Sequence, residues 1–162
     1  MRIAEQIEVS APPALVWEFV SDPTRVLEFM SGVTRWEVMG AAERGLGARY
    51  RVLMLVGSAE LGGLVEVVEY DEGRDLAWTS VTGLDMRGRW RVRERPHGRA
   101  HVELRIAYGV AGAGVGGVIA ERVAAPSVRR HLRRSVLQLR RVVEQEQLRR
   151  VTAARRVRQQ FA

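Results

Sequence analysis

Met86-Arg87-Gly88-Arg89-Trp90-Arg91-Val92-Arg93-Glu94 and Ala100-His101-Val102-Glu103-Leu104-Arg105-Ile106-Ala107-Tyr108, joined by Arg95-Pro96-His97-Gly98-Arg99, are the runs whose reading decides the fold. In the first, Trp90 and Val92 oppose Arg89, Arg91 and Arg93. In the second, Val102, Leu104, Ile106 and Tyr108 oppose His101, Glu103 and Arg105. A period of two sends alternate side chains to opposite faces, so each run is a strand with one apolar and one wet side. The Pro-His-Gly between them tolerates turn geometry, which makes the two strands antiparallel neighbours. A sheet of this kind needs something to cover its dry face.

The cover lies downstream. Val128, Leu132, Val136, Leu139 and Val143 recur at steps of 4, 4, 3 and 4, one apolar stripe along a helix, and the arginine pairs 129/130, 133/134 and 140/141 fall off it. Pro126 lies inside the pattern and is expected to kink the helix or to mark its effective start. Beyond Gln147 the chain is Arg-rich with little left to pack. Residues 148–162 therefore read as a basic helical extension or disordered tail on a body of residues 1–147.

Upstream, the same period continues through Val33–Met39, Ala48–Val56, Ala59–Tyr70 and Arg74–Val81, separated by turn-forming segments such as Gly57-Ser58 and Asp71-Glu72-Gly73. Arg2–Ser10 supplies a further strand. After it, Ser10 and two prolines set up a helix carrying Leu15, Val16, Trp17, Phe19 and Val20, because Pro is tolerated in a first turn. Ser21-Asp22-Pro23 ends that helix and is expected to cap a second short one with Val26, Leu27, Phe29 and Met30. The fold class is α+β: seven antiparallel strands in one curved sheet, two short helices and a long C-terminal helix.

The 162 residues suit one domain and contain no cysteine, which excludes disulfides and thiolate metal sites. The net charge of +7 is unevenly spread: residues 1–115 hold 14 Arg against 16 acids, and residues 116–162 hold 12 Arg against 3. The body is near neutral, and there is no lysine at all, so the charge is weak evidence for a nucleic-acid partner. The N-terminal Met-Arg-Ile-Ala-Glu-Gln has charges where an export signal needs an apolar core, and Val110–Ala120 is too short to span a membrane. Cytoplasm is the expected location.

Parity selects the inward residues. Arg49 and Arg51 point outward, so Tyr50, Val52 and Met54 point inward, joined by Trp78, Ser80, Met86, Trp90, Leu104 and Tyr108 from other strands and by Leu132 and Val136 from the helix stripe. These eleven are the candidate ligand-binding residues, with Met suited to irregular shapes. Trp36, Trp78 and Trp90 are bulky enough to fill the same space. Tyr50 and Tyr108 are the candidate proton donors of an enzyme. Gly112-Ala-Gly114-Val-Gly116-Gly117 has dinucleotide-loop spacing but no following strand with an acidic end, so no cofactor is assigned. His97 lies in a turn, His101 faces outward and His131 sits among arginines that favour its neutral form; no metal site follows. Paired acids occur at Glu66/Glu69 and Asp71/Glu72/Asp75, and the latter cluster reads as a solvated hairpin turn. Arg149, Arg150, Arg155, Arg156 and Arg158 are the residues a nucleic acid or an anionic membrane would meet.

Ile7-Glu-Val-Ser-Ala-Pro-Pro, Val16-Trp17, Val20-Ser-Asp-Pro, Gly45-Leu-Gly-Ala-Arg-Tyr and Val67-Val-Glu-Tyr-Asp-Glu-Gly-Arg-Asp-Leu-Ala-Trp, in this order and spacing, resemble the START-like (SRPBCC) superfamily in its polyketide cyclase/dehydrase-type branch. The resemblance spans roughly residues 2–145. It implies a helix-grip fold whose sheet and terminal helix enclose a cavity for lipids, polyketides or other apolar ligands, and it puts the glycine run at the cavity mouth in a gating position. Cyclase members of the family place an arginine inside the cavity on the strand before the hairpin turn. Here that strand reads Leu64-Val-Glu-Val-Val-Glu-Tyr70, without arginine. The expected function is binding or transport of a hydrophobic small molecule. A cyclase/dehydrase-type enzyme and an interaction module working through the basic helix are the alternatives.

Overall fold

The computed structural model describes residues 1–109 and 114–161, and of residues 114–123 the backbone alone. In chain order the elements are β1 (Arg2–Val9), α1 (Pro13–Val20), α2 (Val26–Phe29), β2 (Val33–Met39), β3 (Arg49–Val56), β4 (Ala59–Asp71), β5 (Asp75–Gly83), β6 (Asp85–Arg95), β7 (Arg99–Gly109) and α3 (Gly114–Gln160). The loop of the glycine run before Gly114 lies outside the described residues. All seven strands form one antiparallel sheet in the order β1-β7-β6-β5-β4-β3-β2, so every neighbour is a hairpin partner except β1, which closes onto β7.

Alternation explains which face is dry. Trp90 lies opposite Leu104 and Val92 opposite Val102 on the inner side, while Arg89 lies opposite Arg105 on the outer. The sheet bends where its register slips, at Val33/Arg35 between β2 and β3 and at Leu64/Val65 and Val67/Glu69 between β4 and β5, since an extra residue on one strand kinks it and raises its twist. Gly63 allows close approach at one bend: a Cβ there would lie 2.0 Å from the Thr82 carbonyl oxygen.

The helix stripe covers the dry face as the spacing predicts. Val128, Leu132, Val136, Leu139 and Val143 are each 3% exposed or less, and burying an aliphatic side chain of this size contributes ~1.5–3 kcal/mol. α3 crosses β1 and β7 and meets α2. Two local expectations change. Of the two readings of Pro126, an effective start is excluded, since it stands within α3, where losing one hydrogen bond is tolerable in a helix held by its packed stripe. Asp22 does not cap α2: its carboxylate accepts bonds from the Thr24 amide (2.9 Å) and hydroxyl (2.7 Å), so it orders the connecting turn instead. Residues 148–160 continue as exposed helix. Arg150 ties them back to Glu18 of α1 at 2.8 Å.

A small polar joint fastens the turn after α2 to α3. Ser135 is 1% exposed; its hydroxyl donates to the His131 carbonyl (2.7 Å) and accepts from the Ser31 amide (2.9 Å). The Ser31 hydroxyl is 3.1 Å from His131 Nδ1. Burial, with smaller contributions from the charges of Arg134 and Arg130, holds the His131 imidazole below its ordinary range.

Candidate functional site

Between the inner sheet face and the α1–α2 segment stand four aromatic rings, Trp36 on β2, Tyr50 on β3, Trp78 on β5 and Trp90 on β6. Trp36 lies 5.3 Å from Tyr50 and 5.8 Å from Trp78, nearly perpendicular to the latter at 88°. Phe29 of α2 closes edge-on against Trp90 at 5.9 Å. The rings leave about 20 Å³ between them, bounded on the helix side by Val20, Ser21, Val26 and Met30, room for about one water. The interior is thus filled by the tryptophans in the form described.

Trp78 owes its position to a glycine. Gly88 is its register partner on β6, and a Cβ at 88 would sit 2.0 Å from Trp78 Cζ2 and 2.2 Å from Cε2. The indole occupies the volume a side chain would need. Its Nε1 and that of Trp36 are both buried and have no hydrogen-bond partner among the described residues. By contrast, Trp17 donates its Nε1 to Glu72 at 2.9 Å. A buried donor left unpaired costs ~1–3 kcal/mol, and these two indoles, packed edge to face in the core cluster, differ in this from Trp17.

Tyr50 has a different assignment from its neighbours. Its hydroxyl donates to the Glu43 carbonyl at 2.9 Å, and burial, opposed by the nearby Arg44 charge, pushes the phenol up to about 12. A phenol so raised and already donating is poorly suited to giving up its proton. The same loop is pinned across the chamber rim by Arg44, 3.6 Å from Asp22.

Of the eleven inward candidates, Tyr50, Trp78 and Trp90 border this space. Val52, Leu104, Leu132 and Val136 are close-packed in the core at 0–3% exposure. Met86 is buried and Met54 half-buried. Ser80 accepts the Met86 amide at 3.1 Å, and the Tyr108 hydroxyl reaches Met1 Sδ at 3.6 Å. What strand parity left out is the helix wall, Val20, Ser21, Pro23, Val26 and Met30, together with Leu76. Leu76 shares the parity of Trp78 and was readable; the helix residues depend on how α1 and α2 dock. Among the described residues no three His, Cys, Asp or Glu side chains are placed to hold a metal ion, and no helix is long and apolar enough to cross a membrane.

The family model described as polyketide cyclase/dehydrase and lipid transport matches residues 1–144. The chain belongs to this polyketide cyclase/dehydrase and lipid transport family. Solved structures agree at the level of fold. The protein TTHA0849 from Thermus thermophilus shares 17% identity with a TM-score of 0.73, covering 88% of this chain and 97% of its own. The Zhui aromatase/cyclase from Streptomyces sp. R1128 shares 21% identity with a TM-score of 0.71, covering 95% and 97%. A START superfamily protein from Mycobacterium smegmatis shares 15% with a TM-score of 0.69, covering 89% and 97%. No curated protein matches by sequence. At such identities the likeness carries the helix-grip architecture, and the chemistry rests on the residues of this polyketide cyclase/dehydrase and lipid transport family member itself.

Proposed function

We propose that the protein binds a hydrophobic small molecule carrying a hydrogen-bond acceptor, held among Trp36, Tyr50, Trp78 and Trp90, and that it holds this ligand rather than transforming it. The observation that carries the reading is the pair of buried, unpaired indole N–H groups in an otherwise apolar aromatic chamber. Apolar walls with a few convergent polar groups are what a small-molecule site requires. A ketone, quinone or carboxyl oxygen placed between the two indoles would satisfy donors that the protein leaves bare, and the rings would stack on a flat or kinked apolar body.

Because the space is about 20 Å³, the aromatic side chains must part to admit a ligand, and the loop carrying Glu43 and Arg44, tied to Tyr50 and Asp22, moves with them. That movement breaks one neutral hydrogen bond and one half-exposed ion pair, interactions worth only ~0.5–1.5 and ~0–1 kcal/mol. The family relationship supports an apolar ligand. The holding role is supported by the arginine-free β4 and the committed Tyr50 hydroxyl.

The test is a displacement titration. A naphthalene-based fluorescent probe should bind saturably and be displaced by a hydroxyanthraquinone or by oleic acid, with the Trp78→Phe variant weakening the quinone more than tenfold. Tyr50→Phe, which keeps the ring and removes the bond to Glu43, should bind at least as tightly as the parent does. Absence of saturable binding in the parent protein contradicts the reading.

A further inference from the structure

We propose that the outer face of the sheet carries an oxyanion site, suited to a phosphate group, between Arg2 and Arg87 above Ala107. It is independent of the interior ligand, from which the sheet itself separates it. Arg2 on β1 and Arg87 on β6 are each the direct register partner of Ala107 on β7. With strands roughly 5 Å apart their Cα atoms stand about 10 Å from one another on one face, and the methyl group of Ala107 leaves the gap between them open. Arg89 and Arg105, directly opposite each other one row further, complete a wall around a floor of Ala77, Thr79 and Ala107. The basin so formed is about 490 Å³, with Glu69 on its wall held by Arg89, and a second depression of about 480 Å³ adjoins it along the same Arg2, Arg87 and Ala107, with Asp85 at its far side.

The charge pattern requires an explanation. Arg89 is paired with Glu69 and Arg105 with Glu103 at 2.9 Å, whereas Arg2 and Arg87 have no carboxylate partner among the described residues. Like charges directly across two strands destabilise a sheet, yet Arg89 faces Arg105, with Arg87 two residues along β6. The Arg105 Nε is moreover buried without an acceptor. Two uncompensated guanidinium groups match the charge of a phosphate monoester, about −1.5 to −2 at neutral pH, and their planar forks bind its oxygens two at a time. A walled basin with an apolar Val68 rim fits the end of a small phosphorylated molecule better than a long polyanion, which would use a flat stripe.

The test is calorimetric titration of the full chain with phenyl phosphate at constant ionic strength set by sodium chloride. One saturable site is expected. Arg2→Gln and Arg87→Gln should each weaken it at least tenfold, and Arg51→Gln, on the same outer face outside the basin, should leave it within twofold. Neither basin variant removes an internal partner, so both should keep the parent's circular dichroism and melting temperature in phosphate-free buffer. Vesicles containing phosphatidic acid form a second arm: binding that Arg87→Gln abolishes assigns the phosphate to a lipid head group, and binding of phenyl phosphate alone assigns it to a soluble metabolite. No heat beyond the chloride control, or parent-like binding by both basin variants, overturns the proposal. Tight, steeply salt-dependent binding of duplex DNA that phenyl phosphate does not displace overturns it in favour of a nucleic-acid backbone.

Discussion

Gly88 and Trp78 set the interior between them. The indole lies where a Cβ at 88 would stand, 2.0 Å from its nearest ring atom, and the ring is 3% exposed and boxed in by Trp36. Gly88→Ala therefore overpacks the closed, ligand-free chamber, with an expected loss of ~1–3 kcal/mol in folding stability, readable from urea unfolding followed by tryptophan fluorescence. A variant as stable as the parent would mean that Trp78 is free to move aside. The glycine in a strand of alternating Arg and apolar residues was visible in the sequence, but nothing there indicated that a ring from the neighbouring strand would lie over it.

At the scale of elements, the turn after α2 is fastened to α3 by Ser31, His131 and Ser135, and this joint makes part of the stability depend on pH. The His131 imidazole has its pKa held below the ordinary 6.5, chiefly by burial, so the unfolded chain takes up a proton before the folded one does. The sign follows from linkage: stability rises with pH wherever the unfolded state binds more protons. The contribution is intact above about 6.5, declines as pH falls below that value and levels off below the folded-state pKa. The stability advantage of the parent over His131→Gln should accordingly shrink between pH 7.5 and 5.5 in parallel denaturant titrations. A difference that stays flat would show that the imidazole titrates alike in both states. The arginines around His131 pointed in this direction from sequence alone. Ser31 and Ser135 did not stand out, because their role depends on two elements a hundred residues apart meeting.

Across the whole molecule, what was legible and what was not divide along a physical line. Period-two alternation and the helix stripe report local burial, and they placed all seven strands within two residues of their observed ends and the five stripe residues of α3 in the core. The chamber lies between elements whose mutual docking no local period encodes. Strand parity therefore turned residues inward along the full length of the sheet, whereas the space sits at the α1–α2 end, among Trp36, Tyr50, Trp78 and Trp90. The outer basin was hidden for the same reason. Arg2, Arg87, Arg89 and Arg105 look like a solvated face until the strand order brings β1, β7 and β6 side by side. The two proposed sites occupy opposite faces of one sheet, one dry and aromatic, the other wet and basic.

The central claim is that the unpaired indoles of Trp36 and Trp78 meet an acceptor on the ligand. The chain has four tryptophans, so an amide-region nuclear magnetic resonance spectrum of the nitrogen-15-labelled protein should display four indole N–H signals, assignable by Trp→Phe variants. On titration with a hydroxyanthraquinone, the Trp36 and Trp78 signals should move downfield together to saturation while that of Trp17, bound to Glu72, stays in place. Saturable binding with both signals unmoved would contradict the account.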